Sequence, residues 1–146
     1  MSDGKNSGLD FGLLVLRLAL GGILIAHGVG KLMAEGGVNG FANLVANMGI
    51  PAPLPMAYAA VISEIGGGLL VVLGLLARLG ALSIVGVMAV AIVKVHWPNG
   101  FFLKITVDKA GYVPNGYEYC LALLAMALCI VFTGPGKLRV PVGKSG

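Results

Sequence analysis

The sequence predicts an all-α protein: an integral membrane four-helix bundle that forms a single domain over residues 1–146. Hydrophobic residues make up 58% of the chain and charged residues only 11%, far below the roughly 25% charge of a soluble domain. The apolar residues also fall into four long runs, each close to the ~20 residues that a helix needs to cross a ~30 Å hydrocarbon core. The lipid bilayer is therefore the first expected partner.

The four spans are expected at about 11–32, 55–76, 79–95 and 117–132. Only a tight turn around Arg78 separates the second span from the third, so these two helices are expected to be antiparallel neighbours. The first run has no clear small-x-small cleavage site after its apolar stretch, and we expect it to stay in the mature protein rather than to be removed as a signal peptide.

The loop between the first two spans contains apolar residues at helical spacing, with asparagines between them. These apolar residues are Val38, Phe41, Leu44, Val45 and Met48. The pattern predicts a short amphipathic helix that lies at the membrane interface and is ended by Gly49 and a cluster of prolines.

The loop between the last two spans is rich in aromatic residues. Six of the ten aromatic side chains lie in or beside it: Trp97, Phe101, Phe102, Tyr112, Tyr117 and Tyr119. Aromatic residues concentrate where a membrane protein meets the headgroup region, so an aromatic belt is the expected role.

The basic residues are scattered rather than gathered into a stripe, so nucleic acid is not an expected partner. Five fall on the side of the two termini and four on the side of the long loops: Lys5, Arg78, Lys137, Arg139 and Lys144 against Lys31, Lys94, Lys104 and Lys109. The positive-inside rule then favours cytoplasmic termini.

The first span carries its polar side chains on one face. At 100° per residue, Arg17, His27 and Lys31 fall within an arc of about 80°. Gly21 and Gly28 share that arc, and glycines allow the backbone of a neighbouring helix to approach closely.

Glu64 is the one acid in the second span, and a carboxylate at membrane depth must be paired or protonated. Counting residues inward from the long-loop interface places it between Arg17 and His27. We therefore expect an ion pair between Arg17 and Glu64, with His27 above it. The residues around Glu64 that would permit helix contact are small: Ala60, Ser63, Gly67 and Gly68.

A second polar group, formed by Lys94, His96 and Glu118, is expected near the long loops. Each polar residue also has a purely structural interpretation. Arg17 can extend its charge to the near interface, His27 can hydrogen-bond a backbone carbonyl, and residues at helix ends commonly act as solvated anchors.

The sequence contains no evident cofactor motif. Cys120 and Cys129 are nine positions apart, on opposite faces of one helix, so they cannot bridge each other there. No C-x-x-C pair or Cys/His spacing typical of zinc occurs, and we expect no metal site. Whether the protein is an enzyme stays open, because no self-contained catalytic centre is visible.

Several short motifs occur in order along nearly the whole chain. They are G-V-G-K-L at 28–32, M-G-I-P at 48–51, E-I-G-G-G-L-L-V-V-L-G-L-L-A-R at 64–78, H-W-P-N-G-F-F at 96–102, G-Y-E-Y-C-L-A-L-L-A from 116 and T-G-P-G at 133–136. Together they resemble the DoxX family.

The resemblance implies a four-helix protein of the bacterial inner membrane. The family is similar to the quinone-reactive subunits of thiosulfate:quinone oxidoreductase, and some members are associated with membrane complexes that handle thiol and oxidative stress. Its polar signature corresponds here to Arg17, His27, Lys31, Glu64, Arg78, His96 and Glu118.

Three functions stay open. In the first, the protein is an accessory, quinone-interacting subunit of a membrane oxidoreductase: Arg17 or His27 hydrogen-bonds a quinone carbonyl, Glu64 exchanges protons, and a partner protein provides electrons. In the second, it is a non-catalytic scaffold that docks a redox or stress-response partner. In the third, it is a small proton-coupled transporter. A homo-oligomer is compatible with each.

Overall fold

The computed structural model describes residues 3–103 and 115–141. Within these residues the chain forms helices and no strands, which confirms the all-α prediction. The helices are α1 (Asp3–Met33), α2 (Gly37–Asn47), α3 (Pro53–Leu73), α4 (Ala77–Asn99) and α5 (Glu118–Thr133). The predictions that used Lys104, Lys109, Tyr112, Lys144 and the side chain of Lys5 concern residues outside this description.

Of the described helices, three are long and apolar enough to cross a bilayer. They are α1 over Ser7–Met33, α3 and α4, with mean hydropathies of 2.1, 1.9 and 2.0. Helix α5 has 16 residues, about 24 Å at 1.5 Å per residue and less than the ~30 Å hydrocarbon core. Its role as a fourth span stays a prediction.

Helix α2 lies in the first long loop, where the amphipathic pattern predicts a helix. Its buried residues Ala42 and Val45 pack against Ala57 of α3, with Phe41 beside them. The apolar face of α2 therefore contacts the bundle itself. Its placement at the membrane interface stays a prediction.

Helix α3 ends at Leu73, three residues before the predicted end of the second span. Gly74 follows with φ of 73°, a left-handed conformation that stops a helix and that glycine adopts without steric cost. Leu76 then takes φ of 46° immediately before α4 begins at Ala77. The turn is therefore tight, and α3 and α4 are antiparallel neighbours.

The backbones of neighbouring helices approach each other closely where glycines meet. A Cβ atom on Gly21 of α1 would lie 2.6 Å from the carbonyl oxygen of Gly68 of α3, inside van der Waals contact. In the same way, a Cβ atom on Gly67 would lie 2.9 Å from the carbonyl oxygen of Gly80 of α4. Gly21 therefore serves the contact role that the sequence predicts.

The core joins α1, α3, α4 and α5. Its buried side chains are Leu20, Leu24, Val71, Ala77, Ala81, Ile84, Met88, Ile92, Cys120, Leu123, Ala127 and Ile130. Large exposed apolar side chains, such as Leu18, Ile62, Leu82 and Phe132, cover the outer faces of the helices, as expected where lipid is the solvent.

Replacing Gly21 by leucine should destabilise the fold, because the new side chain would force α1 and α3 apart. We expect a loss of roughly 1–3 kcal/mol, seen as a lower Tm in detergent. Gly22→Leu is the matched control: Gly22 is exposed and a Cβ there meets nothing within 4 Å. Equal Tm values for the two variants would contradict this contact.

Candidate functional site

Two of the long helices contain a π-helical segment. In α3 the segment is Ser63–Gly67, and in α4 it is Ala91–His96. A π-helical turn inserts extra backbone into a helix and frequently occurs at functional sites. Glu64 lies in the first segment and His96 in the second.

Both π-helical segments line one cavity of about 460 Å³ between α2, α3 and α4. Its walls are mainly apolar and include Met48, Met56, Val87 and Met88. The polar residues that line it are Lys31, Ser63, Glu64, Ser83 and His96. An apolar cavity of this size with a few polar groups is typical of a small-molecule site.

Glu64 is the most buried polar residue of this cavity, with 3% of its surface exposed. Its Oε1 accepts a hydrogen bond from Nζ of Lys31, which lies 4.9 Å from the centroid of the Phe41 ring. Its Oε2 is also buried, and no described residue donates a hydrogen bond to it. The cavity therefore contains an ion pair with one carboxylate oxygen left unpaired.

A second cavity, of about 680 Å³, lies on the other side of Lys31, between the end of α1 and α2. His27, Glu35 and Leu44 are among its lining residues. Lys31 and Phe41 line both cavities. The Lys31 side chain thus separates the cavity that contains Glu64 from this more open one.

The predicted ion pair between Arg17 and Glu64 is wrong. Arg17 is 1% exposed and donates hydrogen bonds only to backbone carbonyl oxygens among the described residues. The four acceptors are Val71 (2.8 Å), Val72 (2.8 Å), Pro135 (2.6 Å) and Leu138 (2.7 Å). Arg17 therefore caps the end of α3 and holds the segment after α5 against it.

The register of α1 against α3 explains this difference. A Cβ atom on Gly28 would lie 3.2 Å from Cβ of Glu64, so these two residues are at the same level. Arg17 is eleven residues from Gly28, about 16 Å along the axis and beyond the reach of its side chain. Counting residues inward from the interface assumes that α1 and α3 begin at the same level. The contact between Gly28 and Glu64 shows that they do not.

The remaining predicted site residues lie apart from the ion pair. His27 is exposed, and its Nε2 lies 3.4 Å from the hydroxyl of Tyr119. Glu118 accepts a hydrogen bond of 2.6 Å from the backbone N–H of Leu103. Only three members of the predicted polar cluster therefore line the cavity that holds the ion pair: Lys31, Glu64 and His96, but not Arg17, His27 or Glu118.

His96 is held in one orientation by the loop before α5. Its Nδ1 lies 2.8 Å from the carbonyl oxygen of Asn115. Because a carbonyl only accepts hydrogen bonds, Nδ1 carries the proton, and Nε2 of the neutral ring is an acceptor. Lys94, which the sequence groups with His96, is exposed and does not line the cavity.

The aromatic residues near the loop pack against one another. The rings of Trp97 and Tyr117 stack with centroids 5.2 Å apart, and Phe101 meets Tyr117 edge to face at 5.3 Å. Trp97 and Phe102 stay largely exposed. Their role as a membrane belt stays a prediction.

Among residues 3–103 and 115–141, no three His, Cys, Asp or Glu side chains are grouped so that they could hold a metal ion. Cys120 is buried and Cys129 is exposed, and both are free thiols. The expectation concerning metals stays a prediction.

A protein-family model described as DoxX matches residues 12–97, more than half of the chain. The chain belongs to the DoxX family. The matched segment contains every described residue that lines the cavity around Glu64. The family resemblance carried by the sequence motifs is thereby confirmed.

A curated DoxX-like relative is "Inner membrane protein YphA" of Escherichia coli K12, 30% identical over 140 residues. The match covers 90% of this chain and 93% of that protein. No solved structure matches the chain. The relative and the three apolar helices together support a protein of the bacterial inner membrane; the orientation of its termini stays a prediction.

Two features of the candidate site were not predicted from the sequence. Phe41 was recognised only as part of an amphipathic helix, yet its ring lies against Nζ of Lys31. The π-helical segments were not foreseen, because α3 and α4 are apolar on all sides. Their sequences therefore have no polar–apolar periodicity that an inserted residue would visibly shift. The polar residues within apolar runs were the signal that located Glu64.

Replacing Arg17 by lysine should destabilise the fold, because an ammonium group lacks the planar fork that serves four carbonyl oxygens. Each buried carbonyl left without a donor costs about 1–3 kcal/mol. We expect a lower Tm and faster trypsin cleavage after Lys137 or Arg139. Arg78→Lys is the matched control, since Arg78 is exposed and has a single 3.4 Å hydrogen bond. Equal behaviour of both variants would refute the capping role.

Replacing Lys31 by methionine should leave the Glu64 charge buried without a cation, at a cost of about 3–5 kcal/mol. Adding Glu64→Gln should restore part of the lost stability, because the uncompensated charge is then gone. Thermal unfolding of the single and double variants measures this coupling. Lys94→Met, at an exposed lysine, is the control. Strictly additive changes in unfolding free energy would show that the pair is not coupled.

Proposed function

We propose that this DoxX-family protein is a quinone-interacting accessory subunit of a membrane oxidoreductase system, and that the quinone head group binds in the cavity around Glu64. The observation that carries the proposal is an apolar cavity of about 460 Å³ whose wall contains an ion pair between the half-buried Lys31 and the buried Glu64. A lipophilic ring with polar substituents fits such a site, since most of its surface needs apolar contact and a few atoms need hydrogen bonds.

The lining side chains suit an aromatic ring. Met48, Met56 and Met88 provide thioether groups, which are adaptable and make favourable contacts with aromatic edges. Lys31 has three donor hydrogens, of which one serves Oε1 of Glu64. A polar ring substituent can therefore approach the ion pair while the ring contacts the methionines.

The ligand roles first assigned to Arg17 and His27 pass to other residues in this proposal. All four described hydrogen bonds of Arg17 go to backbone carbonyls. His27 is exposed and lines only the outer cavity. Lys31 and Glu64 are therefore the residues that orient the head group.

A bound quinone supplies two-electron, two-proton chemistry, and the chain's own residues bind and orient it. The electrons are exchanged with a partner protein, which is part of the proposal. Two exposed aromatic residues lie near His96: Trp97 is in the last turn of α4, and Phe102 is three residues beyond its end. A partner that contacts this end would lie near the cavity.

Trp97, the single tryptophan of the chain, offers a direct test because its neighbour His96 lines the cavity. We expect decylubiquinone to quench its fluorescence in a saturable way when the protein is held in lipid nanodiscs. Ala59→Phe should weaken this binding about tenfold or more, since the added ring takes space inside the cavity.

Ala122→Phe is the matched control, because Ala122 is an exposed helix position outside the cavity. Its quenching curve should equal that of the unaltered protein. Quenching that rises linearly, or that is the same in both variants, would mean that the quinone only dissolves in the lipid. That result would overturn the proposed function.

A further inference from the structure

The hydrogen-bonding groups of the cavity around Glu64 are mainly acceptors. Resting on the proposed function, we propose that this cavity binds the reduced, hydroxyl-bearing quinol in preference to the quinone. The ligand class is thus a lipophilic aromatic ring that carries at least one hydroxyl donor.

The first reason is the unpaired oxygen of Glu64. Glu64 forms an ion pair with Lys31, and the carboxylate of an ion pair has no proton to donate, so its oxygens only accept hydrogen bonds. Lys31 occupies Oε1, while Oε2 is buried without a donor among the described residues. An unsatisfied buried acceptor is unfavourable, so a ligand that brings an O–H group to Oε2 removes that cost when it binds.

The second reason is the chemistry of the two redox forms. A quinone carries carbonyl oxygens, which only accept, so placing one beside Oε2 would set two acceptors against each other. A quinol hydroxyl donates there. The remaining N–H groups of Lys31 do not reverse this preference, because a quinol hydroxyl oxygen accepts a hydrogen bond as a quinone carbonyl does.

The third reason is that two further polar groups of the cavity are acceptors. Nδ1 of His96 donates to the carbonyl of Asn115, which leaves Nε2 as the acceptor of the ring in its neutral form. The Ser83 hydroxyl donates its proton to the carbonyl of Gly80 at 2.8 Å, which leaves its oxygen lone pairs for a ligand. The hydroxyl of Ser63 can act in either direction. The cavity as a whole therefore favours a donor-bearing ligand.

The preference can be measured without altering the protein. Decylubiquinol, decylubiquinone and the dimethyl ether of decylubiquinol would compete under argon against tritiated decylubiquinone on the protein in nanodiscs. We expect decylubiquinol to bind about tenfold more tightly than the quinone or more. The dimethyl ether, which has nearly the same shape but no donor, should lose that advantage.

Glu64→Gln should reverse the preference. The amide oxygen can keep the hydrogen bond from Lys31, and the amide NH₂ then presents donors to the cavity in place of Oε2. We expect this variant to bind the quinone more tightly than the quinol. Glu118→Gln, outside the cavity, should keep the preference of the unaltered protein.

Equal affinity for the two redox forms, tighter binding of the quinone by the unaltered protein, or an unchanged preference in Glu64→Gln would each overturn the inference. If Ala59→Phe still weakens binding in those cases, the proposed function stands. If no form binds in a saturable way, the proposed function fails as well. If Glu64→Gln does not fold, the comparison of the quinol with its dimethyl ether decides the matter alone.

Discussion

The close approach of Gly21 to Gly68 sets the register on which the other interactions of the bundle depend. Because a side chain on either glycine would clash with the opposite carbonyl, the backbones of α1 and α3 meet at this level. Residues on the N-terminal side of Gly21 then face the end of α3, and residues on its C-terminal side face the π-helical segment. The contact thereby assigns Arg17 to the carbonyls of Val71 and Val72, and Lys31 to Glu64.

Both assignments follow from the lack of water inside a bilayer, where each polar group must find its partner within the protein. Arg17 donates hydrogen bonds to the carbonyl oxygens of Val71 and Val72 at the end of α3, and it joins this end to the segment after α5. Lys31 and Glu64 neutralise each other, but only one carboxylate oxygen is used. The hydrogen bonds of Arg17 serve the fold, whereas the Lys31–Glu64 pair leaves one buried carboxylate oxygen without a donor among the described residues, on a side chain that lines a cavity. Because of this contrast, we propose that a ligand binds beside the Lys31–Glu64 pair.

Much of the fold follows from composition and patterning. Scarce charge and long apolar runs predicted a membrane-embedded helical protein, and ordered short motifs predicted the DoxX family. The site was predicted only in part. Lys31, Glu64 and His96 were named because ionisable residues are costly at membrane depth, but the predicted pairing of Glu64 with Arg17 was wrong. Pairing depends on the relative height of two helices, and residue counts along separate spans do not contain that height.

The sequence by itself determined that the protein lies in a bilayer, that it is helical, and which few polar residues are available for function. Each of these depends on residue types and their spacing along the chain. The tertiary structure alone decided which polar groups meet. Helix register, the π-helical segments of α3 and α4, and the packing of α2 over the cavity arise from contacts between distant residues. Those contacts separated Arg17 from Glu64, brought Lys31 to the carboxylate and left Oε2 of Glu64 without a donor among the described residues.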